Sequence, residues 1–197
     1  MSSSCSCFLG RAHNAAAAVL VFASVFAFSE VALAQTAQPW SIQASGLVHG
    51  FDDDATGVGP GVEVQVRRNL SAFSFGVGAD HTWNSGDIGT IASISVNVLS
   101  FFAEPRYVID VGSDRAAPYL SARVGVVRES RDAEVAPGSG LMANPSDEFD
   151  SLVNGGGGIL INVNPTLNVD LGFSVGKAAD ITNYLARIGF AMGFGDR

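Results

Sequence analysis

The stretch LNVDLGFSVG, from Leu167 to Gly176, alternates between apolar residues and polar or small residues without a break. A period of two residues is typical of a β-strand whose two faces meet different surroundings. In a water-soluble sandwich the apolar face would pack into a core, whereas in a membrane barrel it would face lipid. In the second case Asn168 and Asp170 would point into the barrel. The rest of the chain has to decide between these two structures.

The N-terminal segment has the order of residues found in secretory signals. Arg11 precedes the apolar run AAAAVLVFASVFAF, and Ala32-Leu33-Ala34 then supplies the small residues of a cleavage site. The run is shorter than the roughly 20 residues that a membrane-spanning helix needs, which argues against a retained anchor. We expect residues 1-34 to be a signal peptide and residues 35-197 to form a single domain.

The composition of the expected mature chain excludes several classes of function. Both cysteines, Cys5 and Cys7, lie in the signal segment, so disulfides and thiolate sites are excluded. The formal net charge of −8 is unsuited to neutralising phosphates, so we expect no nucleic-acid partner. We also expect no cofactor and no metal site, because the adjacent carboxylates Asp52, Asp53 and Asp54 lack the spacing of a calcium loop.

Alternating windows recur along the chain after residue 35, and none of them shows a helical stripe. In the fourth window, apolar residues alternate from Ile94 to Val98, and Leu99 and Phe101 then continue in the other phase. A β-bulge produces such a change, so the sequence predicts one strand from Ile91 to Ile109, bulged near Val98 and Leu99. Two shorter strands joined by a tight turn are the alternative. The eight predicted strands lie near residues 40–48, 62–67, 73–83, 91–109, 120–126, 153–163, 167–176 and 184–194.

The connections between these strands alternate in length. Arg68-Asn69, DVGSDRA and Asn164-Pro165 are short, whereas FDDDATG, NSGDIG, the segment from Ser130 to Glu148, and KAADIT are the loops at the other end. Short turns at one end and longer loops at the other are typical of outer-membrane barrels. The sequence therefore predicts an all-β, eight-stranded, antiparallel up-and-down barrel with both termini at the short-turn end.

The distribution of charge between the two faces indicates whether the apolar faces meet lipid or a protein core. Charged residues collect on the polar faces, whereas large aromatic residues on the apolar faces collect near both strand ends, as interfacial girdles do. These patterns predict a transmembrane barrel with a polar, filled lumen. The predicted lumen charge network contains Glu63, Arg67, Asp80, Arg123, Asp170 and Arg187, with Glu104 and Arg106 added by the bulge. The predicted aromatic girdles contain Trp40, Trp83, Tyr107, Tyr184 and Phe194.

Three stretches resemble the small outer-membrane barrels of the outer-membrane protein A and opacity-protein type. They are PYLSARVGV (Pro118 to Val126), GGGGILINVNPTLNVDLGF (Gly155 to Phe173) and the last strand, YLARIGFAMGF. The resemblance implies a location in the cell outer membrane, contact with its lipid and lipopolysaccharide, and insertion by the barrel-assembly machinery. That machinery recognises a last strand that ends in an aromatic residue, whereas here Gly195, Asp196 and Arg197 follow Phe194.

The function that these patterns predict is structural or interactive, without catalysis. The barrel would present its long loops, above all residues 130-148, to a surface ligand. Eight strands leave a lumen that side chains fill, so inward arginines would pair with acids. Three alternatives stay open: a narrow gated ion channel, a lipid A-modifying enzyme, and a soluble periplasmic barrel for an apolar ligand. The enzyme would need His81, but Thr82 points away from it and Trp83 occupies the position of the expected serine.

Overall fold

A computed structural model describes residues 38–52, 57–88, 92–135, 146–178 and 181–195. Their strands form one closed barrel in which every strand pairs antiparallel with the next, and the last pairs with the first. The predicted all-β, up-and-down barrel is therefore confirmed. The predicted signal peptide and its cleavage after Ala34 lie outside the described residues. The strands are β1 (Trp40–Phe51), β2 (Val58–Leu70), β3 (Phe73–Ile88), β4 (Ala92–Val108), β5 (Ala116–Val135), β6 (Ser146–Asn164), β7 (Leu167–Ala178) and β8 (Ile181–Phe194).

Strand β7 shows which surroundings each face of the alternating stretch meets. Asn168 and Asp170 are buried in the lumen, whereas Leu171 and Phe173 are exposed on the outside of the barrel. A water-soluble protein buries its apolar side chains, so a barrel with a charged interior and an apolar exterior requires lipid around it. A closed barrel also satisfies its backbone hydrogen bonds without an exposed sheet edge. This arrangement excludes a soluble barrel that binds an apolar ligand inside.

Two of the three turns at the short end are tight and lie slightly beyond their predicted positions. Strand β2 continues through Arg68-Asn69 to Leu70, and Ser71 and Ala72 make the turn, with Ser71 at a φ of 51°. The turn between β6 and β7 is Pro165-Thr166 instead of Asn164-Pro165. In both turns, pairing with the neighbouring strand continues until only two residues are left to reverse the chain. No helix in the described ranges is long and apolar enough to cross a membrane.

The predicted bulge in the fourth strand is wrong. Strand β4 is one continuous strand, and its register with β3 is unbroken from the pair of Ala92 with Ile88 to the pair of Tyr107 with Phe73. Val96 and Val98 consequently face the lumen, where their side chains are 1% and 0% exposed. The change of phase in the sequence reflects a change in what lines the lumen, and the backbone does not change phase.

Strand β4 displays the resulting layers of the lumen in order. From the loop end, its buried inward side chains begin with Val96 and Val98, continue through Phe102 to Glu104 and Arg106, and end with Val108. Apolar layers therefore lie above and below a charged layer, so the lumen is packed along its length. The upper apolar cluster is Val96, Val98, Phe102, Val127, Leu152 and Ala178, and the lower apolar cluster is Ala72, Val108, Ala117, Tyr119 and Leu160.

The unbulged β4 predicts opposite surroundings for two adjacent positions. The described ranges contain no cysteine, so single spin labels can be attached at Val98→Cys and Leu99→Cys. In lipid vesicles, we expect the label at position 99 to be relaxed strongly by dissolved oxygen and the label at position 98 to be shielded. A bulge would place both side chains on the lipid side, so strong relaxation by oxygen at both positions would contradict the structure.

Candidate functional site

The charged layer of the lumen is organised around the carboxylate of Glu104. Arg67 and Arg106 donate to its Oε1 at 2.8 and 3.1 Å, and Arg123 donates to its Oε2 at 2.9 Å. Arg187 spans the carboxylate, with Nη2 at 2.9 Å from Oε1 and Nη1 at 2.8 Å from Oε2. One buried carboxylate therefore contacts four guanidinium groups that come from four different strands. We call these five residues the Glu104 hub.

Asp170 joins the hub from strand β7. Its Oδ2 accepts from Arg106 at 3.0 Å and lies 3.3 Å from Nε of Arg187. The hydroxyl of Tyr119 donates to Oδ1 at 2.7 Å, and the amide of Gln43 donates to Oδ2, also at 2.7 Å. The carboxylate is fully buried, so these donors replace the hydrogen bonds that water would otherwise give it.

Glu63 and Asp80 complete the charge balance on the other side of the lumen. Arg123 donates to Oε2 of Glu63 at 2.5 Å and to Oδ2 of Asp80 at 3.0 Å. Glu63 also accepts from Gln65 at 3.0 Å and from Arg187 at 3.4 Å. The four acids and four arginines of the network cancel in charge, which limits the free energy that their burial costs.

Aromatic rings cover two of the arginines. The guanidinium carbon of Arg123 lies 3.7 Å from the centroid of the Phe102 ring, where the charged layer meets the upper apolar cluster. Arg106 lies 4.1 Å from the centroid of the Tyr119 ring, toward the lower apolar cluster. Stacking of this kind favours a guanidinium in a place that water does not reach.

Tyr119 reaches its partners because two of its neighbours are glycines. Gly158 and Gly172 lie next to each other in the row of paired residues between Tyr119 and Arg187. A Cβ atom at either glycine would lie only 2.5 Å from the tyrosine hydroxyl. The side chain therefore needs both glycines to lie along the inner wall and donate to Asp170, which explains one of the four consecutive glycines in β6.

The structure brings together all eight charged residues that the sequence placed in the lumen. They are Glu63, Arg67, Asp80, Glu104, Arg106, Arg123, Asp170 and Arg187, and every one of them is buried and ion-paired. Glu104 and Arg106 face the lumen on an unbulged strand, although the sequence placed them there only through the bulge. The central role of Glu104 was missed, as were the neutral partners Gln43, Gln65 and Tyr119. Tyr119 is in phase with Arg123, so extending that window by one residue would have placed it in the lumen.

The five predicted girdle residues all have their side chains on the outer phase of their strands. Trp40 pairs with Phe194 across β1 and β8 at the short-turn end, and the guanidinium of Arg68 lies 4.9 Å from the Trp40 ring centroid. Trp83 and Tyr184 are exposed toward the loop end. Tyr107 is only partly exposed, because it packs against the lower apolar cluster. The interfacial role of these residues stays a prediction.

The histidines do not form the constellation that an enzyme of this type would need. His81 is on the outer side and makes an edge-to-face contact with Trp83, with ring centroids 4.6 Å apart. Thr82 faces the lumen, where Nδ1 of His49 lies 3.3 Å from its Oγ1. Both members of that second pair are buried, so neither reaches a lipid substrate. Within the described ranges, no group of three or more metal-ligating side chains occurs.

Several solved structures share the architecture of this barrel. Neisserial surface protein A (NspA) is 19% identical, with a TM-score of 0.62 over 79% of this chain and 97% of that chain. The fold is that of the small outer-membrane barrels. Ail of Yersinia pestis is 13% identical, with a TM-score of 0.57 over 78% of this chain and 96% of that one. OprG from Pseudomonas aeruginosa is 12% identical, with a TM-score of 0.57 over 84% and 100%. No protein-family model and no curated protein matches the sequence.

Because Tyr119 packs against Gly158 and Gly172, we expect a methyl group added at either glycine to lower the stability of the barrel. We expect Gly172→Ala to lower the free energy of unfolding by about 1–3 kcal/mol, the usual cost of overpacking. Gly158→Ala should cost more, because a Cβ there would also lie 2.1 Å from the backbone oxygen of Leu171. Gly155→Ala is the matched control, because a Cβ there has no atom within 4 Å. Urea unfolding of the barrel in lipid vesicles measures all three. Equal effects at positions 155 and 172 would contradict the packing described.

We expect a larger loss of folding stability when the charge at the centre of the hub is removed. Glu104→Gln leaves four arginines with three acids, and breaking a buried pair costs about 3–5 kcal/mol of folding free energy. Asp147→Asn is the control, because its pair with Arg128 is roughly half exposed and such pairs contribute little. The same urea titration should show a much lower midpoint for the first variant and little change for the second. A stable Glu104→Gln barrel would show that the hub does not hold the lumen together.

Proposed function

We propose that this protein is an outer-membrane barrel that acts through its outer face and loops, with a lumen closed to ions. The observation that carries the proposal is the layered lumen, in which a charge-balanced network lies between two apolar clusters. An ion crossing the barrel would have to separate the buried pairs of the Glu104 hub and pass both apolar clusters. Separating the ion pairs or moving an ion past an apolar cluster places an unpaired charge away from water, which costs a large free energy.

The outer face supports a location in the cell outer membrane. Its exposed side chains are valines, isoleucines, leucines and aromatics, as the strands of a lipid-facing belt require. The proposed contacts are the outer-membrane lipid and lipopolysaccharide, with insertion by the barrel-assembly machinery. The last strand supports that route, because Phe190, Met192 and Phe194 lie on its outer face near the C-terminal end.

The loop end is the proposed contact surface. Strands β5 and β6 have 20 and 19 residues, whereas β1 and β7 have 12 each, so the wall extends farther at the loop end on one side. The connection between β5 and β6 belongs to the predicted contact loop 130-148, and its residues 136–145 carry no charged side chain. An uncharged segment flanked by acidic strands is suited to binding a protein or a neutral glycan.

A structural neighbour shows that such a fold can carry a surface ligand. Ail of Yersinia pestis was crystallised in complex with the heparin analogue sucrose octasulfate. The present chain has a formal net charge of −8, which disfavours a polysulfated ligand. We therefore propose a neutral or cationic partner for this protein.

The proposal includes no catalysis. The position of His81 on the outer face and of Thr82 in the lumen supports it, since a hydrolytic nucleophile needs an accessible base within hydrogen-bond reach. The pair that does form, His49 with Thr82, is buried. An assay for acyl chains released from lipid A tests this part separately, and loss of that release in a His81→Ala variant would favour the enzyme.

A closed lumen predicts no ion conductance. We expect the purified barrel to produce no steady current steps in planar lipid bilayers, because the paired charges of the lumen leave no continuous water path. A larger porin inserted under the same conditions controls for detection. Current steps that disappear in Arg123→Ala or Arg187→Ala would contradict the closed lumen and would favour the narrow gated channel.

The proposed orientation predicts which connections are reached from outside the cell. An epitope tag inserted between Gly140 and Leu141 should bind antibody on intact cells, because it extends the longest connection at the loop end. The matched control is a tag inserted after Gly112 in the β4–β5 turn, which should bind only after the outer membrane is permeabilised. The reverse pattern would mean that the short turns face outward.

A further inference from the structure

A small cavity lies in the lumen near the short turns, below the Glu104 hub. Its volume is about 10 Å³, measured as the space open to the centre of a water molecule, which is just enough to admit a single water. Polar side chains dominate its wall, although Leu160 and Ala191 also contribute. The polar lining includes Ser41, Gln43, Arg67, Ser74 and Arg106.

Three buried polar atoms of this lining have no partner among the described residues. They are Oε1 of Gln43, Nε of Arg67 and Nε of Arg106. Each belongs to a side chain that is at least nine-tenths buried. Buried polar atoms are almost always hydrogen-bonded, to protein or to ordered water, so three such atoms around one cavity require a ligand.

The orientation of the Gln43 amide is fixed by its other contacts. Its nitrogen donates to Oδ2 of Asp170 at 2.7 Å and to Oγ of Ser45 at 3.0 Å. The Asp170 carboxylate only accepts hydrogen bonds from its neighbours in this network, so the amide nitrogen has to face it. The carbonyl oxygen of Gln43 is therefore the atom left to face the cavity.

Besides the hydroxyl and amide groups of the other lining residues, the cavity thus presents two N–H donors and one carbonyl acceptor that have no protein partner. A chloride ion would satisfy both arginine donors, but it would be repelled by the carbonyl oxygen of Gln43. A cation would be repelled by both arginines. Water can accept from Nε of Arg67 and Nε of Arg106 while it donates to the Gln43 oxygen. The ion pairs of the lumen are already balanced in charge, so no further anion is needed.

We infer that one ordered water molecule is an integral part of the lower lumen and bridges Gln43, Arg67 and Arg106. It links the two arginines that enter the hub from below to the amide that holds Asp170.

A high-resolution crystal structure of the intact barrel tests the inference directly. We expect one density peak within about 3.2 Å of all three atoms. A parallel soak in bromide should give no anomalous signal at that position. An anomalous peak would identify an anion site, and the lack of any peak would mean that the three atoms are satisfied by a different side-chain arrangement. Either result would overturn the inference.

A cavity-filling variant gives a second test in solution. Ala191→Val adds two methyl groups at the cavity wall, and Ala186→Val on the outer face of the same strand is its control. If water occupies the site, Ala191→Val expels it, leaves buried polar atoms unsatisfied and lowers the folding equilibrium constant at least about fivefold. A constant that is unchanged or raised would overturn the inference, because it would show that the added methyl groups displace no bound water.

Discussion

The carboxylate of Glu104, enclosed by the guanidinium groups of Arg67, Arg106, Arg123 and Arg187, joins four strands at the centre of the barrel. Each arginine also has a second acidic or polar partner, so the hub extends to Glu63, Asp80 and Asp170 without excess charge. The interior of an eight-stranded barrel is just wide enough for side chains to fill, and here these long polar side chains fill it. The aromatic coverage, the inner glycines and the apolar layers above and below are all arranged around this ionic centre.

The outer face follows from the same constraint, because a barrel whose interior is polar must place its apolar residues outside. Lipid then supplies the surroundings that a core supplies in a soluble protein, and closure of the sheet satisfies the backbone. The consequence for function is that neither the lumen nor the belt is free to bind a soluble ligand. The loops and the extended wall of β5 and β6 are left as the surfaces on which contacts with other molecules can vary.

The alternating pattern predicted most of this architecture, because a period of two is a local property of each strand. All eight strands could be read in that way, and so could the inward phase of Glu63, Arg67, Asp80, Arg123, Asp170 and Arg187. Glu104 and Arg106 were assigned to the lumen only through a bulge that β4 does not have. The bulge in β4 was predicted wrongly because Val96 and Val98 were assumed to face lipid. Apolar residues that face the upper lumen produce the same sequence pattern as a β-bulge. Only the pairing of β4 with β3 and β5 distinguishes a bulged strand from an unbulged one.

The central role of Glu104 could not be predicted, since it depends on which inward side chains meet across the lumen. That information comes from the register of non-adjacent strands, and a single alternating window does not contain it. The contact of Tyr119 with Gly158 and Gly172 has the same origin. The glycine run was visible in the sequence, but the ring that requires one of those glycines comes from another strand.

The most direct test of the account is electrophoresis of membrane fractions from cells that express the full chain. A barrel closed by eight paired strands, with its ionic centre sealed inside, should be found in the outer-membrane fraction and resist unfolding in SDS until heated. We expect the protein to give a band on the SDS gel that shifts on boiling. Recovery in the soluble periplasmic fraction, with no shift on boiling, would contradict both the lipid-facing exterior and the closed, charge-filled lumen.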